Sequence, residues 1–242
     1  MEADELLELQ AAAWGARLDA ERRDRLMAFA QLLGSYDQAN VIGSRELSSI
    51  LVDHILDSLS CFLFEPLFAA QSFADVGSGG GLPGIPIKIS QPTLQTTLVE
   101  STRKKARFLR YAIEQLALDG IEVLDGRVEE VGHVGGYRGT YDVVTARAVA
   151  RLSIVAEYCV PLLRVGGYVV SMKAKLQGEE LSEGERAANR LGVKVSEVLQ
   201  VPHLPEVGAR ERRLVILEKV RETPGKYPRK VGVPAKKPLG VV

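Results

Sequence analysis

The sequence predicts an α/β chain: a seven-stranded, mostly parallel sheet with helices on both faces and a helical addition at the N-terminus. Three observations carry that expectation. From Ser72 onward, short apolar runs alternate with helix-length amphipathic stretches, the pattern of βαβ units. The first run, ending in Asp75-Val76, drops straight into Gly77-Ser78-Gly79-Gly80-Gly81, a strand feeding a side-chain-free turn. Finally, 242 residues at 46% hydrophobic content are ample for one core with small additions. The expected division is a helical extension over 1–70, the sheet-bearing core over 71–220 and a basic, proline-rich tail over 221–242.

Taken in order, residues 2–34 read as two helices. Leu6, Leu7, Leu9 and Ala13 form one stripe; Leu26, Phe29, Leu32 and Leu33 form another, with Gly34 as a stop. After a link over 35–44, Leu47, Ile50, Leu51, Ile55 and Leu59 sit at helical spacing and predict a third helix near 46–60. Strands are expected at 72–76, 95–99, 121–124, 141–145, 167–172, 193–201 and 213–219. Helices are expected at 82–90, 102–118, 151–163 and 178–191. Between the last two strands, Pro202 to Arg210 carries no helical pattern, so those strands should form a hairpin with one antiparallel member. The tail, with Pro224, Pro228, Pro234 and Pro238 among lysines, is expected to be non-helical.

Composition narrows the classes. No apolar run approaches the ~18 residues of a membrane span. The acidic start, with Glu2, Asp4 and Glu5, suits neither a secretory signal nor a transit peptide. Cys61 and Cys159 each lie in an apolar helical context, which fits buried thiols in a reducing cytoplasm better than a disulfide. A cytoplasmic monomer is expected. His54, His133 and His203 are scattered, without metal-ligand spacing, and no metal is expected. Net charge is zero, but its distribution is uneven: the first 21 residues are acidic, while from Lys219 onward seven bases face the single acid Glu222.

In an open parallel sheet, ligands bind beyond the carboxyl ends of the strands. After the first strand, glycines 77, 79 and 81 form G-x-G-x-G. The dinucleotide fingerprint G-x-G-x-x-G, begun at Gly77, would need glycine where Leu82 stands; begun at Gly79 it matches, but with Pro83 inside it. This favours S-adenosylmethionine over a nicotinamide or flavin while leaving both open. After the second strand comes Glu100, 23 residues beyond Gly77 and near the ~20-residue offset at which an acid meets ribose hydroxyls. A helix-dipole acid is the plain alternative. Gly126-Arg127-Val128-Glu129 follows the third strand, where an adenine edge would lie, with Glu130 as a competitor. Arg147 follows the fourth strand and either forks onto substrate or cofactor, pairs with Glu100 or Glu129, or caps the strand's carbonyls. Lys173 lies just past the fifth; the stretches Ser171-Met172-Lys173 and Tyr36 to Ile42 are candidates for the rim of a pocket. On the 102–118 helix, Arg103, Lys104, Lys105, Arg107 and Arg110 are a solvated face or the frame of a binding mouth. His54, between Asp53 and Asp57, reads as part of a helical ion pair.

From about Gly34 to Leu239 the chain resembles the RsmG (GidB) family of bacterial 16S ribosomal RNA methyltransferases. The similarity rests on Asn40-Val41-Ile42, Val52 to Leu59, Asp75 to Pro86, Arg127 to Glu130, Thr145 to Ala148 and the basic segment Pro224 to Lys237. It implies a Rossmann-like fold and methyl transfer from S-adenosylmethionine to N7 of guanine 527, in the 530 loop of 16S RNA within the small subunit or its precursor. It also implies cofactor contacts at Gly77, Leu82, Val128, Glu129 and Arg147, with Gly79 and Glu100 added from the strand-end argument. N7 carries a free lone pair, so no general base is needed, and Arg147 and Lys173 are the candidates to orient the base. Lys226, Arg229, Lys230, Lys236 and Lys237 are expected to grip RNA phosphates, the plain alternative being a solvated basic tail docked on the acidic N-terminal helices. The alternatives are a non-catalytic RNA-binding assembly factor, a small-molecule or protein methyltransferase, and a nicotinamide-dependent oxidoreductase.

Overall fold

The computed structural model describes residues 3–16, 18–202 and 211–241, of residues 3 and 4 the backbone only. Glu2, Arg17, His203 and the connection over 203–210 lie outside the described residues. The N-terminal part holds α1 (Ala3–Ala13), α2 (Ala20–Ser35), α3 (Leu47–Ile50), a π-helical turn (Leu51–Leu56) and α4 (Asp57–Leu59), then 3₁₀ turns at Ser60–Leu63 and Glu65–Ala69. The rest alternates: β1 (Ser72–Val76), α5 (Gly84–Ser90), β2 (Gln95–Glu100), α6 (Arg103–Gln115), β3 (Ile121–Asp125), α7 (Val128–Val131), β4 (Tyr141–Arg147) and α8 (Leu152–Cys159). After a 3₁₀ turn at Val160–Leu162 come β5 (Leu163–Lys173), α9 (Gly178–Leu191), β6 (Val193–Gln200), β7 (Arg213–Lys219) and α10 (Val233–Lys236). The seven strands lie in the order β3-β2-β1-β4-β5-β7-β6, with β7 antiparallel to both neighbours and the remaining pairs parallel.

Side chains two apart on a strand share a face, and the core divides accordingly. Phe73, Leu98, Val143, Val170 and Ile216 join one apolar cluster with α2, α5, α6 and the helical run around Ile50 to Leu59. Their neighbours Ala74, Val99, Val144, Val169 and Val215 join a second cluster with α7, α8, α9, Tyr227 and Leu239. Both faces are thus covered, as a mostly parallel sheet requires. Burying one such side chain is worth roughly 1.5–3 kcal/mol.

The differences from the sequence expectations have local causes. On α1, Leu9 and Ala13 are exposed and Gln10 and Ala11 are buried instead; just past the helix, the buried Trp14 indole donates to the Pro202 carbonyl at 2.9 Å. Leu47 is also exposed. α6 stops at Gln115 rather than 118, where Ala117 takes φ 47°, a left-handed turn that ends the helix. The helix expected over 151–163 tightens at Val160-Pro161, freeing Leu163 to start β5 opposite Tyr141. The tail is not wholly non-helical: Gly232 at φ 77° turns the chain and Pro234 opens α10.

Candidate functional site

The bend after β1 is held by its neighbours. Gly77 and Ser78 donate their N–H groups to the Val99 carbonyl at 2.9 and 3.2 Å, pinning the turn to the end of β2. Gly77, Gly79 and Gly81 all take positive φ, and a Cβ on Gly77 would stand 2.9 Å from Val149 Cγ2. Beneath the bend the fully buried Asp75 accepts from the Thr145 hydroxyl at 2.9 Å and the Gly84 N–H at 3.2 Å; burial pushes its pKa up to about 6. The buried Glu100 carboxylate accepts the Gly79 N–H at 2.8 Å on one oxygen and the Thr102 N–H at 2.7 Å on the other. It therefore ties the bend to the start of α6, and each oxygen keeps a lone pair for a hydroxyl.

A cleft of about 120 Å³ opens beside Gly77, lined by Val76, Val99, Ser101, Val128, Glu129 and Tyr158 among others. Its walls mix the apolar Val76, Val99 and Val128 with Ser101, Arg127, Tyr158 and the buried Glu129 carboxylate, and Gly77 and Gly126 border it with bare backbone. That arrangement fits the flat base of S-adenosylmethionine between Val99 and Val128, while Glu100 and Gly79 stand at the adjoining bend and are absent from the cleft's lining. Leu82 is buried in the apolar cluster on the other sheet face and is absent from this cleft's lining. Glu129 is already engaged, its Oε1 accepting the Gly232 N–H of the tail at 3.0 Å.

A second cavity, of about 290 Å³, lies between the π-helical turn and the ends of β4 and β5; Val149 lines both spaces. Asp53, His54, Arg147, Ser171, Lys173 and Arg212 contribute to its wall. Arg147 does not pair with Glu100 or Glu129. Its Nη1 donates to Asp57 Oδ2 at 2.9 Å, and its Nη2 lies 3.0 Å from His54 Nδ1. Asp57, itself buried, accepts from Arg212 Nε on its other oxygen at 2.9 Å. One carboxylate thus serves two guanidinium groups, and Asp53 adds a second acid to the same wall. Since a guanidinium only donates, His54 Nδ1 is the acceptor and its ring proton sits on Nε2. Burial, reinforced by Arg147, pulls the His54 pKa down to about 4, so the ring is neutral at pH 7. The helical ion pair expected for His54 is replaced by this longer-range contact.

Lys173 reaches the same cavity but is tethered, donating to the Ala150 carbonyl at 2.5 Å and to Glu180 at 2.7 Å. The Ser171 hydroxyl is fully buried on the cavity wall and has no protein partner among the described residues. Local sequence marks neither Arg212 nor Tyr158, and it marks Asp57 only as a neighbour of His54. The Val52–Leu59 similarity contains Asp57, but only the fold brings Arg212 to it from 155 residues away.

The expectation for Arg229 is corrected. Its Nε and Nη2 clamp Glu157, a fully buried carboxylate, at 2.8 and 2.6 Å, so the guanidinium anchors the tail rather than offering itself to a phosphate. Pro228 packs on Gly132, and Arg138 donates to the Tyr227 and Thr223 carbonyls at 2.7 and 3.0 Å. Lys226, Lys230, Lys236 and Lys237 are exposed.

The family model described as rRNA small subunit methyltransferase G (GidB) matches residues 22–212. A ribosomal RNA small subunit methyltransferase G from Rubrobacter xylanophilus is 58% identical over 238 residues, 98% of this chain and 91% of that protein. One from Roseiflexus sp. is 43% identical over 230 residues, 95% of this chain and 97% of that protein. Among solved structures, cofactor-bound Rv0187 from MTB superposes with a TM-score of 0.54 at 16% identity, over 84% of this chain and 92% of that one. NSun6 from Pyrococcus horikoshii with SFG gives 0.52 at 14% identity, over 69% and 52%. These two likenesses concern the fold, which is the Rossmann-like one of S-adenosylmethionine-dependent methyltransferases. Sequence, matched over nearly the whole length of both relatives, supplies the rest: the chain belongs to the rRNA small subunit methyltransferase G family.

Proposed function

We propose that this chain transfers the methyl group of S-adenosylmethionine to N7 of one guanine in the 530 loop of 16S ribosomal RNA, presented in the small subunit or its precursor in the cytoplasm. Family membership supports the donor and the ribosomal RNA. The observation that carries the site is the pair of cavities sharing Val149, one bordered by glycine backbone and the other rimmed by the Asp57-bridged arginines.

S-adenosylmethionine supplies an electrophilic methyl on a positive sulfonium. Gly77 and Gly79 would give it bare backbone, Val128 and Glu129 would border the base, and Glu100 would take the ribose hydroxyls. In the second cavity the guanine is oriented by donors: Arg147 keeps N–H groups beyond those given to Asp57 and His54, and one can meet O6. It cannot hold N7, whose lone pair must stay free to attack. No group has to remove a proton, which agrees with a neutral, low-pKa His54 and two inert buried thiols. Positioning is then the main contribution, worth up to ~7–11 kcal/mol in well-oriented reactions. The test is transfer of tritium from labelled S-adenosylmethionine into RNA of small subunits from cells lacking this activity. Label in RNA supports the reading; label only in protein or small molecules, or cofactor binding with no turnover, overturns it.

A further inference from the structure

α6 is electrostatically at odds with its own backbone. It carries Arg103, Lys104, Lys105, Arg107 and Arg110 against the single acid Glu114, with no acid in its first turn. Three of those cations crowd the helix N-terminus, the positive end of the dipole, where anions are favoured. Arg103 and Arg107 are also a like-charge i,i+4 pair, a mildly destabilising arrangement. Among the described residues, Arg103, Lys104, Lys105 and Arg107 form no ion pair, and Arg103, Lys104, Arg107 and Arg110 are exposed. Glu100, which accepts the Thr102 N–H, eases the dipole at one point, but the exposed cations find no ion-pair partner among the described residues, which suits this face to a polyanion.

Aromatic rings interleave with these cations. Tyr111 is 40% exposed, with its ring centroid 5.8 Å from that of Tyr36, which in turn packs on Phe108 at 4.7 Å. The two tyrosines line a cavity of about 300 Å³ with Arg107, Ser35, Gln38 and Asp37, the last being its one acid. The strip starts where Thr102 donates to Glu100, the carboxylate that also holds Gly79, so it runs outward from the cofactor bend.

We propose that this face of α6, with Tyr36, is a landing surface for single-stranded RNA: a base stacks on Tyr111 while flanking phosphates lie against Arg103, Lys104 and Arg107. Alternating aromatic and cationic groups along a groove are what unpaired strands need, because every base has a stacking face and every nucleotide a charge. This rests on the RNA-substrate reading but concerns a different surface from the reacting cavity. With the tail's Arg229 committed to Glu157, α6 offers a cationic patch close to the bend.

The test uses the full chain and a short fluorescein-labelled oligouridylate, with Kd measured across a salt series. Arg103→Gln/Arg107→Gln should weaken binding and flatten the slope of log affinity against log salt by roughly 1.4, at ~0.7 per phosphate contact on single strands. Tyr111→Leu should weaken binding about tenfold with the slope unchanged, and Tyr111→Phe should restore it. S-adenosylmethionine binding, followed by calorimetry, should be unaltered in all three, which also reports an intact fold. Affinity and slope matching the parent in the arginine and leucine variants, or a parent that does not bind the probe, overturns the proposal. A parent that binds the probe yet labels no ribosomal RNA would instead sink the functional reading and leave this surface standing.

Discussion

Asp57 has one carboxylate and two guanidinium partners, which makes it the residue on which the second cavity depends. Without it, Arg147 and Arg212 would repel each other and lose their orientation. Asp57→Asn keeps the shape but can serve only one arginine well, so methyl transfer should fall at least tenfold, about 1.4 kcal/mol of barrier, while cofactor affinity holds. Arg147→Ala should cost at least as much in kcat. Steady-state kinetics on small subunits checks both, and unchanged kcat in folded variants contradicts the assignment. Asp75 gives a pH signature. Its pKa of about 6 in the fold lies above the 3.8 of an exposed aspartate, so the native state binds more protons between those values. This group's contribution to stability therefore decreases as pH rises from about 4 to about 6 and is least favourable above. Asp75→Asn should remove that dependence, so the difference in urea midpoint between variant and parent should shift in the variant's favour as pH rises across the window. A difference that stays constant with pH would mean Asp75 is ionised throughout.

At the scale of elements, the tail is a strap rather than a free polycation. Glu157 lies fully buried under Arg229, so Glu157→Ala leaves a guanidinium facing an apolar wall and should destabilise the protein by about 1–3 kcal/mol in urea unfolding. A loss under about 0.5 kcal/mol would show that the pair contributes nothing. Deleting 223–242 would therefore disturb the fold and RNA affinity together. Replacing Lys226, Lys230, Lys236 and Lys237 by Gln separates them: without these four partners for phosphate, the salt slope should flatten by roughly 3. An unaltered slope would assign the tail a purely structural role. The helical run from Leu47 to Leu63 shows why local reading stops short. Its apolar spacing predicts a helix correctly, but the π-helical turn around His54 and Asp53 has no signature in that spacing.

Across the whole molecule, the strands and most core helices were legible because period-2 and period-3.6 apolar patterns are local and strong. Phe73 and Ala74 go to opposite faces simply because they are neighbours on a strand. The bend at Gly77 to Gly81 was legible because backbone that must lie bare can be written only with glycine. What could not be read was long-range pairing. Arg147 with Asp57, Arg229 with Glu157 and Gly232 with Glu129 join positions 72 to 103 residues apart, and no local periodicity encodes them. Those contacts give a shared methyltransferase fold its local arrangement: the tail's Gly232 holds Glu129 beside the cleft at Gly77, and Asp57 bridges Arg147 and Arg212 in the neighbouring cavity. The most direct measurement is the position of the new methyl group. Small subunits from cells lacking this activity are incubated with the purified chain and S-adenosylmethionine, and 7-methylguanine is mapped by borohydride–aniline strand cleavage. The account predicts one new break, at a guanine in the 530 loop of 16S RNA, absent with Arg147→Ala; breaks elsewhere, or none while the parent still binds S-adenosylmethionine, would contradict it.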